Sequence, residues 1–192
     1  MTLATPKSES VDAKGQPDGW APPAGFVRDV GRDGRTQLVV SAPTRALLDT
    51  HLQLVGQLQA PLGLLYRQVV DRRNPGPNGA PPVDRVVLEL THGRVRDVLV
   101  RYTDLLHHDA RCEVFVRGAL GEVVGLDRDG LIYCQPADPV FEDTLLADGF
   151  VADVPTTILD RDYVKHWFHA ENDGLEDALV AELAMVEVPW RG

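Results

Sequence analysis

The sequence predicts an α+β domain: an antiparallel or mixed sheet with a ferredoxin-like βαββαβ-type core, an added hairpin and an acidic C-terminal helical segment. Three observations carry that expectation. Stretches with apolar residues on alternate positions trade places with stretches of helical spacing, in the order strand, helix, strand, strand, helix, strand. Gly- and Pro-rich turns separate them. The chain has 192 residues, 44% hydrophobic and 25% charged, which suffices for one ordinary core.

Residues 1–24 hold Pro6, Pro17, Pro22, Pro23, Gly15 and Gly19 with no apolar period, so a disordered tail is expected there. Trp20 is the exception, because so large a ring gains by docking on the domain or on a partner. Phe26 to Val30 and Thr36 to Ser41 read as strands joined across Gly31-Arg32-Asp33-Gly34, whose Asp-Gly step suits a tight hairpin. Pro43 and Thr44 open a helix to about Gln59, with Leu47, Leu48, His51, Leu52, Val55 and Leu58 in one stripe. Pro61 ends it, and Leu62 to Asp71 follows as a strand.

Arg72 to Pro82 has four prolines and two glycines and reads as a long mobile loop. Val83 to Leu90 is a strand, and Thr91 caps a helix to about His108 that carries Val95, Val98, Leu99, Tyr102, Leu105 and Leu106. Arg111 to Arg117 is a strand, and Glu122 to Leu126 pairs with Leu131 to Gln135 across Asp127-Arg128-Asp129-Gly130. In the C-terminal part, Asp138, Pro139 and Gly149 bound a short helix. Asp160 is a candidate cap for a helix over Arg161 to Ala170. Leu175 to Met185 resumes as helix, and Val186, Val188 and Trp190 alternate as an edge strand. The domain is thus expected over 25–192, as a core over 25–137 with the acidic segment 138–192 packed on it. With both core helices on one side, the other face of the sheet needs a cover: the C-terminal segment, a second subunit or a ligand.

The net charge of −10 is unevenly placed. Residues 25–137 carry 14 arginines against 13 acids, whereas 138–192 carry 13 acids against Arg161, Lys165 and Arg191. Phosphate backbones repel such a segment, so nucleic acid is excluded as its partner. The acid is a solvated surface that keeps the chain soluble, or, on the sharper reading, docks a basic partner or folds against the arginine-rich middle. No apolar run approaches the roughly 20 residues that span a bilayer, so no membrane association is expected. Two separated cysteines, Cys112 and Cys134, make no disulfide framework, and a cytoplasmic location follows as the expectation.

Catalytic motifs are sparse. The only serines are Ser8, Ser10 and Ser41, none within G-x-S-x-G, and no phosphate-cradling G-x-x-x-x-G-K occurs. Asp162, His166, His169 and Asp173 fall at helical spacing and would set two imidazoles and two carboxylates on one stripe, a donor set that suits a transition metal. The same residues also suit the outer face of an amphipathic helix. Arg67, Arg72, Arg73 and Arg85 flank the proline-rich loop and would bind an anion if they converge. The expectation is a non-enzymatic binding or regulatory module without a cofactor. It would be adaptor-like or immunity-like, with a protein partner of basic character and self-association into a homo-oligomer. The competing reading is a small-molecule-binding protein or a metal-assisted hydrolase using His166 and His169.

Overall fold

The computed structural model describes residues 5–31, 34–74, 81–154, 157–167 and 169–189. In chain order the strands are β1 (Ser8–Ser10), β2 (Gly25–Val30), β3 (Thr36–Ser41), β4 (Leu62–Gln68), β5 (Val83–Leu90), β6 (Cys112–Arg117), β7 (Val123–Leu126) and β8 (Ile132–Gln135). Three short strands follow: β9 (Val151–Ala152), β10 (Tyr163–Lys165) and β11 (Val186–Val188). The helices are α1 (Leu47–Val55), α2 (His92–Arg101), α3 (Thr103–His108), α4 (Pro139–Ala147) and α5 (Asn172–Glu182). Among the described residues no helix is long and apolar enough to cross a membrane.

Hairpins build the sheet. Its order is β11-β5-β4-β6-β7-β8-β3-β2-β9, antiparallel at every step except β2 with β9. Both expected crossovers are present. β3 and β4 run parallel on either side of α1, and β5 and β6 run parallel on either side of α2 and α3, with β4 between them. The interleaving of a ferredoxin-like sheet is not formed, however. The β7–β8 hairpin follows β6 through short turns and occupies the place beside it, so β3 pairs with β8 instead. The long helix expected after Thr91 is divided at Tyr102, which leaves helical geometry at φ −103, ψ 26.

Alternation gives the sheet its two faces. Leu38, Val40, Leu62, Leu64, Tyr66, Val114, Val116, Val124, Leu126, Ile132 and Cys134 point to one side, where all five helices bury their apolar residues against them. Thr91 caps α2 by accepting from the Arg94 N–H, and Asp138 caps α4 by accepting from the Val140 N–H. Gly149 stops α4 with φ +81, a conformation that L side chains rarely adopt.

Two expectations fail together. The tail is ordered over the described residues 5–24: β1 pairs antiparallel with β10, Ser8 opposite Lys165, and Lys7 is 1% exposed. The helix expected over Arg161 to Ala170 is correspondingly absent, since Tyr163–Lys165 is a strand. Tyr and Val favour extended backbone, and the tail supplies the pairing partner that no local pattern announces. Residues 75–80 of the proline-rich loop and Trp190 lie outside the described residues. β11 is the edge strand expected from Val186 and Val188.

A truncation removing residues 1–24 therefore has a measurable cost. Loss of the β1 pairing and of Trp20 is expected to lower the unfolding free energy by at least about 2 kcal/mol in urea melts. A change within about 0.5 kcal/mol would mean that the segment contributes nothing.

Candidate functional site

The helix-free face carries a row of apolar residues running across eight strands. Val186 lies opposite Val86, Val86 opposite Leu65, Leu65 opposite Phe115, and Phe115 opposite Gly125. Gly125 lies opposite Tyr133, Tyr133 opposite Val39, and Val39 opposite Val27. Gly125 is needed there, because a Cβ at that position would stand 2.4 Å from the Phe115 ring.

Half of this row is roofed by the chain itself. Val39, Leu131 and Ile158 form a small second core, with Trp20, Val27, Tyr133 and Tyr163 packed against it. The Arg161 guanidinium lies 5.2 Å from the centroid of the Trp20 ring and donates to Asp18, 2.6 Å away. The Trp20 N–H and Arg161 together hold the Asp18 carboxyl down at about 2. Trp20 thus docks on the domain.

The other half is open. Leu88 is 68% exposed and Val186 65%. Leu64, Leu65, Val86, Leu88, Phe115 and Val123, together with Gly63, Arg67 and Arg117, line a recess of about 350 Å³. A larger groove of about 980 Å³ continues from it past Arg67 and Phe115 toward β2, between Pro82 and the turn at Thr157–Asp160. Asp29, Glu113, Asp127, Asp129 and Asp160 line that groove against Arg67 and Arg128. Asp127 organises the β7–β8 turn by accepting from the Asp129 and Leu131 N–H groups, and burial raises its carboxyl to about 6.

The arginines proposed for an anion do not form an open cationic pocket. Arg67 donates to Asp84 at 2.7 Å and to Glu113 at 3.4 Å. Arg72 is held by Asp173, and Arg73 by Asp177 at 2.8 Å and Glu176 at 3.4 Å. Arg85 faces Gln68 at 3.3 Å and Glu187 at 3.7 Å. Arg94 and Arg101 both reach Glu182, at 2.9 and 2.8 Å. Of the uses weighed for the acidic segment, α5 shows the internal one: its carboxylates pair with arginines of the middle.

The centre of this arrangement is Arg111, buried with 1% of its side chain exposed. It donates to Asp109 at 2.9 Å, Asp173 at 2.6 Å and the His169 carbonyl at 2.6 Å. Asp173 is held well below the usual carboxylate range by Arg72 first and Arg111 next, against the cost of burial.

The metal stripe is likewise taken apart. Without the helix, His166 turns to Glu9 at 3.2 Å while Asp173 joins the arginines. His169 Nδ1 lies 3.8 Å from Glu171. Among the described residues no three His, Cys, Asp or Glu side chains converge as a metal site. No hydrogen bond joins Cys112 to His107. Cys112 donates to the Leu105 carbonyl and burial pushes its thiol up to about 11. His107 instead meets His51 (Nε2 to Nδ1, 3.0 Å), both rings fully buried. Their other nitrogens, His51 Nε2 and His107 Nδ1, have no hydrogen-bond partner among the described residues. Nearby Lys7 donates to the Cys112 carbonyl at 2.7 Å, and Tyr66 donates to Glu176 at 2.5 Å.

The sequence singles out Trp20 and Arg67 as contact residues but not the apolar row of the helix-free face. A signal existed in Leu62-Gly63-Leu64-Leu65-Tyr66, which is apolar on both alternations, as a strand buried on one side and sticky on the other would be. Comparison of the chain with protein-family models, curated proteins and solved structures finds no match.

Proposed function

We propose that the protein is a binding or regulatory module acting through protein–protein contacts, adaptor-like or immunity-like, with the open half of its helix-free face as the contact. One observation carries this reading. A row of cross-strand apolar residues continues from a roofed core into solvent, ending on Leu88 and Val186. Contiguous apolar surface of this kind, rimmed by charge, marks interaction sites in folded proteins.

The experiment is a selection of displayed random dodecapeptides on the immobilised protein, rescreened on Leu65→Ser and Leu88→Ser. Enriched clones are expected to lose most of their signal on both variants and to keep it on an α4 surface variant, Asp143→Asn. A selection with no face-dependent clones would sink the reading. A second reading, a small apolar ligand, is favoured by the recess alone, whose volume of about 350 Å³ matches small-molecule sites. Saturable binding of Nile red lost in Leu65→Ser, with no face-dependent peptide, would favour it instead.

A further inference from the structure

We propose that the occupant of this face is a cationic amphipathic segment of another protein, laid across the strands with apolar residues on the recess and Lys or Arg over the groove. The inference rests on the binding-face reading and specifies its partner. The recess and the groove share Arg67 and Phe115 in their walls, so one segment can occupy both. Six interstrand steps separate β5, at the recess, from β2, which carries Asp29. At about 4.8 Å each they amount to roughly 29 Å, the reach of about nine extended residues.

The two ends ask for different chemistry. The recess is mostly apolar, with Arg67 and Arg117 in its lining, whereas the groove is lined by five carboxylates and two guanidiniums. Lys165 already pairs Asp129 at 2.7 Å and Asp127 is committed to its own turn, so Asp29 and Asp160 are the carboxylates left to meet a cation. Arg67 does not oppose a cation, since Asp84 and Glu113 already flank it. Asp29 and Asp160 are exposed and belong to different elements, β2 and the turn before β10, so they can engage separate basic side chains. The overall charge of −10 steers the same ligand toward the protein. A second copy of this chain is disfavoured as occupant, because each copy carries a net charge of −10 and repels the other.

The test uses two fluorescein-labelled decapeptides of equal apolar content, alternating Leu-Lys and alternating Leu-Glu, followed by anisotropy. The Lys peptide is expected to bind at least about tenfold more tightly than the Glu peptide. Its affinity should fall at least about fivefold in Asp29→Asn/Asp160→Asn and in Leu88→Ser, and decline steeply with salt. Asp143→Asn/Asp148→Asn on α4 removes the same charge elsewhere and should leave it unchanged. Equal binding of the Glu peptide, no binding of either peptide, or equal losses in both charge pairs would overturn the inference. Face-dependent clones in the displayed library would keep the binding face standing in each of those cases. A concentration-dependent dimer abolished by Leu88→Ser would also overturn it, making a second copy the occupant.

Discussion

Arg111→Leu is expected to lower the unfolding free energy by about 3–5 kcal/mol, because it strands buried charge. Asp109 is fully buried and would keep only the Arg111 N–H and Asn172 Nδ2, each at 3.0 Å. Asp173 would retain Arg72 but lose its inner partner. Lysine cannot replace a planar guanidinium whose Nε, Nη1 and Nη2 each serve a different acceptor. The check is the urea midpoint at unchanged m-value. Arg111→Leu/Asp109→Asn should recover a substantial part of the loss, since the stranded charge is then gone. A single-variant loss below about 1 kcal/mol would show that the cluster is solvated.

Acid should destabilise the protein as soon as free histidine begins to titrate. Burial lowers His51 to about 3 and carries His107 well below its ordinary value, the His51 ring and Lys7 adding to the effect. Both folded-state values lie below the unfolded value near 6.5. Stability from the neutral pair is therefore complete above pH 6.5 and is lost as pH falls below it, when only the unfolded chain takes up the protons. Each histidine contributes about 1.4 kcal/mol per pH unit. Asp127 acts oppositely: raised to about 6, it binds its proton in the folded state first and stabilises that state as pH falls from 6 toward 4. Glu176, raised by burial, works in the same direction. With His108 also lowered by burial and adding to the histidine side, about one net proton remains, a slope of about 1.4 kcal/mol per unit between pH 6 and 4. His51→Leu/His107→Leu should flatten the profile or reverse its sign. Urea midpoints at pH 7 and 5 that coincide in the wild type and stay unchanged in the double variant would refute the assignment.

What could be read in advance follows from the range of each interaction. β2 with β3 and β7 with β8 were legible because their periodicity and Asp-Gly turns are local. α4 was legible from Asp138, Pro139 and Gly149. The β11-to-β9 order was not, because β3 beside β8 and β11 beside β5 are pairings between distant segments. The tail was misjudged because Lys7, Ser8 and Ser10 carry no apolar signal and are buried through backbone pairing with β10 and one ammonium-to-carbonyl bond. The histidine stripe depended on a helix that this pairing replaces. The arginines flanking the loop do not converge: Arg67 pairs with Asp84 and Glu113, while Arg72 and Arg73 turn to α5. What their positions could not reveal was that α5 would bring Asp173, Glu176 and Asp177 to meet them.

The clamp on Arg111 also imposes an order on biosynthesis. Asp173 is added 62 residues after Arg111. At roughly 5–20 residues per second, Arg111 waits about 3–12 s for that carboxylate. Until then the nascent chain holds β4, β5 and β6 with their most demanding cation incompletely neutralised. A ribosome that stalls before α5 would leave a species without β11 to cover the β5 edge and with Arg111 incompletely neutralised, the form a holdase chaperone or a protease is best placed to intercept.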